Sequence, residues 1–101
     1  MDSSVEILKQ VRSFQIANDN QLTLTEKTNL KQTDTPCREI HLKAPSTNTG
    51  TIYIGGANVT TDNASITLEA TEELSIRIDN AKNLYAIPSQ SGDKLNYLLV
   101  V

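Results

Sequence analysis

The stretch Cys37–Ala44, CREIHLKA, alternates with period two. In an extended chain Ile40 and Leu42 fall on one side, and Glu39, His41 and Lys43 fall on the other. That is the pattern of a strand with one face on a core and one in water. The same alternation recurs outward from it. TIYIG (51–55) pairs Ile52 with Ile54, and SITLEA (65–70) pairs Ile66 with Leu68. LSIRID (74–79) sets Leu74, Ile76 and Ile78 against Ser75, Arg77 and Asp79. Two further candidates, NLYAIPS (83–89) and KLNYLLVV (94–101), are joined by the polar loop Ser89–Asp93, whose Gly92 can take positive φ. Short strands at such spacing, with turn-rich joints and no long helical period, predict an all-β fold, an antiparallel sandwich or jelly roll.

Asn48–Thr60, NTGTIYIGGANVT, drives one of these strands into a corner. Gly55 and Gly56 are expected to supply backbone angles costly for other residues, so that the chain turns before Val59 re-enters the core. A phosphate loop would instead open a helix, and nothing after Gly56 has helical period.

Residues 1–35 read differently. Val5, Leu8 and Val11 form an i, i+3 stripe behind Ser3 and Ser4, candidate N-caps, which suits a short amphipathic helix. SFQIANDNQLTLT (13–25) also suits a β-hairpin around Asn18–Asn20, with Thr25–Thr35 as a polar connection. Residues 1–35 are therefore expected to form an arm, a short helix or hairpin, and residues 36–101 the β domain. Val5, Leu8, Val11 and Phe14 on the arm are candidates for contact with a partner. So are Tyr97, Leu98 and Val100, because YLLVV places apolar side chains on both strand faces.

The 101 residues fit one domain with one core. A net charge of -3 and the lack of Lys/Arg clusters speak against nucleic acid or an anionic membrane as partner. No run approaches the ~20 apolar residues that span a bilayer, and the first residues lack a signal-peptide pattern, so a soluble, cytoplasmically made product is expected. The sequons at Asn58 and Asn63 are expected to be chance matches. Cys37 is the only cysteine, which excludes an intrachain disulfide and a thiolate zinc cluster within one chain.

Chemistry-bearing residues are sparse. His41, the only histidine, is expected on a solvated face without the further ligands a metal needs. Cys37 and His41 lie four apart on the same side of an extended chain, roughly 13 Å at ~3.3 Å per residue, too far for a nucleophile and its base. Glu69, Glu72 and Glu73 surround a presumed turn without apolar walls to raise a carboxyl pKa. Tyr53, Tyr85 and Tyr97, with no Trp, are expected to pack at the edge of the core, and would make only a thin stacking platform. No catalytic residue, cofactor or metal site is expected.

From Cys37 to Tyr97 the cadence is N-x-G-x-I-Y-I-G, then V-T, L-x-x-x-E-x-L-x-I-x-I and L-Y-A-I-x-x-x-S-G-D. It resembles small β-sandwich virion proteins of tailed bacteriophages, of the head-decoration, auxiliary capsid and head-fibre-base type. Where such proteins often place Pro-Gly before the Glu-x-Leu strand, this chain has Ala70-Thr71-Glu72-Glu73. The resemblance implies a non-enzymatic structural component, commonly a homotrimer, made and assembled in the host cytoplasm and carried in the virion. It further implies attachment to the major capsid protein or another virion protein through the base or an N-terminal arm. A host-surface or glycan-binding module of a fibre or tail would use the same sandwich, with Tyr and Asn exposed in its loops.

Overall fold

The computed structural model of the chain describes residues 21–101. They form eight strands: β1 (Gln21–Thr23), β2 (Thr28–Asn29), β3 (Glu39–Lys43), β4 (Ile52–Gly55), β5 (Ile66–Leu68), β6 (Glu73–Arg77), β7 (Tyr85–Pro88) and β8 (Lys94–Val100). One 3-10 turn, Ala81–Asn83, precedes β7, and the Asn80 side chain caps it by accepting the Lys82 N–H. The strands make two four-stranded antiparallel sheets, ordered β1-β8-β3-β6 and β2-β7-β4-β5.

Pairing registers bring the buried apolar residues of neighbouring strands onto one face of each sheet. In the first sheet Tyr97, Leu42 and Leu74 form one inward row, and Leu99, Ile40 and Ile76 form the next. In the second, Ile54 lies between Ala86 and Ile66, and Ile52 between Pro88 and Leu68. These faces meet in a single core in which Leu24, Ile40, Leu42, Ile52, Ile54, Leu68 and Leu95 are almost wholly buried. A one-residue slip of any strand would turn its apolar set to water, which is why alternation specifies this pairing.

Three expectations are corrected. The boundary between residues 35 and 36 falls inside the domain. Gln21–Thr23 pairs with β8, Thr28–Asn29 pairs with β7, and Leu24 and Leu30, 0% and 4% exposed, belong to the core. The stretch Thr25–Thr35 is thus a strand-bearing part of the sandwich, held by the β2–β7 pairing and by Leu30 in the core. The expected helix or hairpin half, with Val5, Leu8, Val11 and Phe14, lies outside the described residues.

The corner at Gly55-Gly56 does not rest on positive φ, which among the described residues occurs only at Gly92 (φ 100) and Thr71 (φ 74). Gly55 is required by close approach. A Cβ there would lie 2.7 Å from Val59 Cγ2 and 2.9 Å from Val59 Cβ, whereas Gly56 faces open space. Tyr85 pairs directly across from Gly55, so its ring can cover the strand where a side chain is missing.

Tyr97 is no surface residue. It faces inward at 7% exposure, while Leu98 and Val100 sit half-buried on the opposite face.

Candidate functional site

Two places gather the polar groups of the sandwich. The first lies at the end where the loop before β4 meets the hairpin before β8. Asp93, 6% exposed, accepts hydrogen bonds at one carboxylate oxygen from the Thr49 N–H (3.0 Å) and hydroxyl (3.4 Å). Its other oxygen accepts the Gly50 N–H at 2.7 Å. Asn48, almost as buried, closes a two-way bond with the Lys94 backbone: its amide donates to Lys94 C=O at 2.7 Å and its carbonyl accepts Lys94 N–H at 2.8 Å. Gly92 N–H donates to Leu24 C=O, and Leu24 N–H donates to Asp93 C=O, which ties β1 into the same knot. A Cβ at Gly50 would run into Ser89 Oγ and Gln90 Cγ, so any larger residue there would displace those side chains. These buried polar atoms are all used to fix backbone, as the cost of leaving them unpaired requires.

The second place is the outward face of the first sheet. Register builds it in rows across β8, β3 and β6: Asn96, Lys43 and Glu73; then Leu98, His41 and Ser75; then Val100, Glu39 and Arg77. Gln21 on β1 extends the first row, its amide donating to Asn96 Oδ1 at 2.7 Å. His41 Nδ1 lies 2.9 Å from Ser75 Oγ, and His41 Nε2 lies 2.8 Å from Glu73 Oε1. Hydroxyl, imidazole and carboxylate are the members of a nucleophile, base and orienter set. They lie on an open pleated surface, with the His41 and Glu73 side chains 40% and 53% exposed. The N–H groups of β3 are committed to ladders on both sides, so they offer no donors to a developing oxyanion. The cluster is a cross-strand network of the kind that ties neighbouring strands together on a solvated face.

The outward face of the second sheet is neutral and aromatic. Tyr53 sits between Thr67 and Ile87, and Tyr85 lies beside Asn29, whose amide reaches the Tyr85 hydroxyl at 3.4 Å. Lys27 Nζ stands 5.8 Å from the Tyr85 ring centre and donates to Ala57 C=O at 2.7 Å. Beside this face the β4–β5 loop encloses a depression of about 340 Å³ lined by Gly55, Gly56, Asn58, Asn63 and Ser65 among others. The Asn63 amide is already used within the loop, accepting Thr60 N–H and donating to Asn58 C=O.

Cys37 and His41 are not brought together, and they do not even share a side. β3 begins only at Glu39, so Cys37 precedes the pleat and turns into the core, its thiol 3.3 Å from Ile78 C=O. Burial raises the Cys37 pKa, and the nearby Asp79 carboxylate adds to the shift, which keeps a protonated, unreactive thiol. The three glutamates are engaged more than a solvated turn requires. Glu72 Oε1 accepts Glu69 N–H at 2.8 Å, Glu69 Oε2 accepts the Thr51 hydroxyl at 2.7 Å, and Glu73 holds His41. Among the described residues no group of three His, Cys, Asp or Glu side chains could hold a metal ion, and no helix is long and apolar enough to cross a membrane.

Neither the partners of His41 nor the role of Asp93 is legible in the sequence. Glu73 and Ser75 share one face of their strand, which alternation shows, but only the register across to β3 puts them on His41. Compared with known proteins, the chain matches no family model, no curated protein and no solved structure.

Proposed function

We propose that the chain is a non-enzymatic structural component of a bacteriophage virion, a decoration or auxiliary head protein that attaches to the particle surface. The observation that carries this reading is the knot at Asp93. The residues behind the resemblance, Asn48 and Gly50 from one segment and Gly92 and Asp93 from another, meet there, and their polar atoms hold two loops and β1 together. A motif whose atoms are spent on backbone marks an architecture, and leaves binding to the surfaces around it. The strand orders 1-8-3-6 and 2-7-4-5 support a jelly-roll reading of the sandwich, an architecture that recurs in viral capsid and lectin domains. The partner in this reading is the major capsid protein or another virion protein, met by the segment before β1, and the particle-bound form is a homo-oligomer.

The test is to purify particles of the virus whose genome carries this gene, and to probe them with antibodies raised against the chain. Label on intact capsids, with the chain recovered by mass spectrometry at capsid-scale copy number, is the expected result. A chain found only in the soluble lysate overturns the reading.

A second reading, a host-surface or glycan-binding module, is favoured by one feature, the Tyr53 and Ile87 pair on the neutral outward face of the second sheet. It expects saturable binding on a glycan array that is lost in Tyr53→Ala.

A further inference from the structure

The outward face of the first sheet carries its charges in a checkerboard. In the row of Lys43 and Glu73 the cation stands on β3 and the anion on β6, and in the row of Glu39 and Arg77 the order is reversed. Between them runs the row of Leu98, His41 and Ser75. Lys43, Glu73 and Arg77 are exposed, Glu39 and Leu98 are half-buried, and the His41 side chain is 40% exposed, so the pattern stands at the surface. Opposite charges on facing strands commonly close on each other. Among the described residues, however, Lys43 and Glu73 do not reach ion-pair distance, nor do Glu39 and Arg77, and Glu73 holds His41 instead. The row of Glu39 and Arg77 is also hollow, with a depression of about 530 Å³ lined by Arg38, Glu39, Arg77 and Val100.

Such a pattern is complementary to itself. A half-turn about an axis in the contact plane, perpendicular to the strands and over the His41 row, lays each strand on its own copy and exchanges the two outer rows. Lys43 then falls on Glu39 of the second copy, and Glu73 falls on Arg77 of the second copy, each pair occurring twice. Leu98 meets Leu98 on the axis, and the Lys43 and Glu73 side chains enter the hollow beside Arg38 and Arg77 of the second copy. Packed sheets cross at about 30°, which keeps these rows within reach of long side chains. Other placements do worse. A half-turn about β3 itself would set Lys43 on Lys43 and Glu39 on Glu39. One between β3 and β6 keeps the charge pairs but leaves Leu98 beyond the edge of the partner sheet, because β6 is the last strand on that side.

We propose that the outward face of the first sheet is where a second copy of this chain packs, face to face, across a two-fold axis over the row of Leu98, His41 and Ser75. The patch is narrow, three strands at about 4.8 Å spacing, so the pair is of the weak, transient kind and depends on charge. The inference does not rest on the virion reading. It differs from the trimer that the resemblance implies, since a contact of this kind closes on itself at two copies.

The experiment follows the full chain by sedimentation equilibrium from micromolar to millimolar concentration. At low salt the mass should climb from the 11.1 kDa of one chain toward twice that value. At about 1 M salt, where charges are screened within about 3 Å, association should weaken at least about tenfold. Lys43→Glu sets like charges against Glu39 of the second copy, and Glu39→Lys does the same against Lys43, so each variant alone should remain a single chain. An equimolar mixture of the two should associate again, because each new charge then faces its opposite on the other variant. Lys43→Gln and Glu39→Gln, which add no repulsion, serve if the reversals fail to fold, and should weaken the dimer in the same direction. A natural chain that stays monomeric to millimolar concentration, forms a trimer, or dimerises without regard to these variants overturns the proposal. So does a mixture no more associated than its two components.

Discussion

The carboxylate of Asp93 accepts the backbone N–H of Gly50 at 2.7 Å, across 43 residues of sequence, and is buried at 6% exposure. Asp93→Ala would leave that donor and the Thr49 N–H without a partner inside the protein. The expected loss is about 1.5–3 kcal/mol, the range for hydrogen bonds to a charged group, read as a lower midpoint in denaturant with an unchanged m value. An unchanged midpoint would mean that water replaces the carboxylate without cost.

Gly55 and Val59 form a steric pair. Gly55→Ala should cost about 1–3 kcal/mol through the overlap with the Val59 side chain, which lies 2.7 Å from the new Cβ. Val59→Ala removes the Cγ2 methyl at 2.7 Å and leaves the Cβ at 2.9 Å, so the double variant should recover part of the loss and be more stable than the sum of the two single losses. Strict additivity in a double-mutant cycle would show that the glycine serves another purpose.

Thr71 holds φ 74, a conformation costly for a β-branched residue, while its N–H donates to Ala44 C=O at 2.8 Å. Thr71→Gly relieves that strain and gives back part of the gain as unfolded-chain entropy, so stability should rise by about 1 kcal/mol. A fall in melting temperature would contradict the assignment of strain.

For Cys37 the sign follows from burial, with Asp79 second, raising the folded pKa above the ordinary thiol value of 9.0. Well below pH 9.0 both the folded and unfolded forms keep the thiol proton, so stability there does not depend on this group. Above it the unfolded chain releases the proton while the folded one retains it, and stability falls as pH rises. Cys37→Ala should flatten this alkaline part of the stability profile. An identical slope in both proteins would assign it to other groups. Native Cys37 should also react with a thiol reagent only as fast as the chain opens.

Leu24→Ala tests the enlarged domain. A leucine at 0% exposure in a well-packed core costs about 2–5 kcal/mol on truncation, whereas a leucine on a detached arm would cost almost nothing.

Much of the fold is written in period two. Ile40 and Leu42, Ile52 and Ile54, and Leu74 and Ile76 all face the core as their alternation predicts, because a pleated strand offers only two sides. What alternation cannot express is pairing at long range. Thr28–Asn29 is too short to show any period, and becomes a strand only because Tyr85 and Ala86 lie alongside. Leu30 sits among polar neighbours, so its place in the core is set by tertiary contact alone. The outward cluster is half legible, since alternation places His41 on the wet side, yet Ser75 and Glu73 join it through a register that no local pattern encodes.

The position of β8 also has a consequence for how the protein comes into being. The last of the described strands sits in the middle of its sheet, between β1 and β3, with Gln21 meeting Asn96 across 75 residues. The first sheet therefore stays incomplete until β8 has emerged. β1 cannot dock until Lys94–Asn96 has emerged, and the contacts that close the core are among the most distant in sequence. Such topology folds slowly. Until β8 arrives the nascent chain exposes Ile40 and Leu42 beside an empty slot, which makes that interval the one in which chaperones or premature association decide the yield.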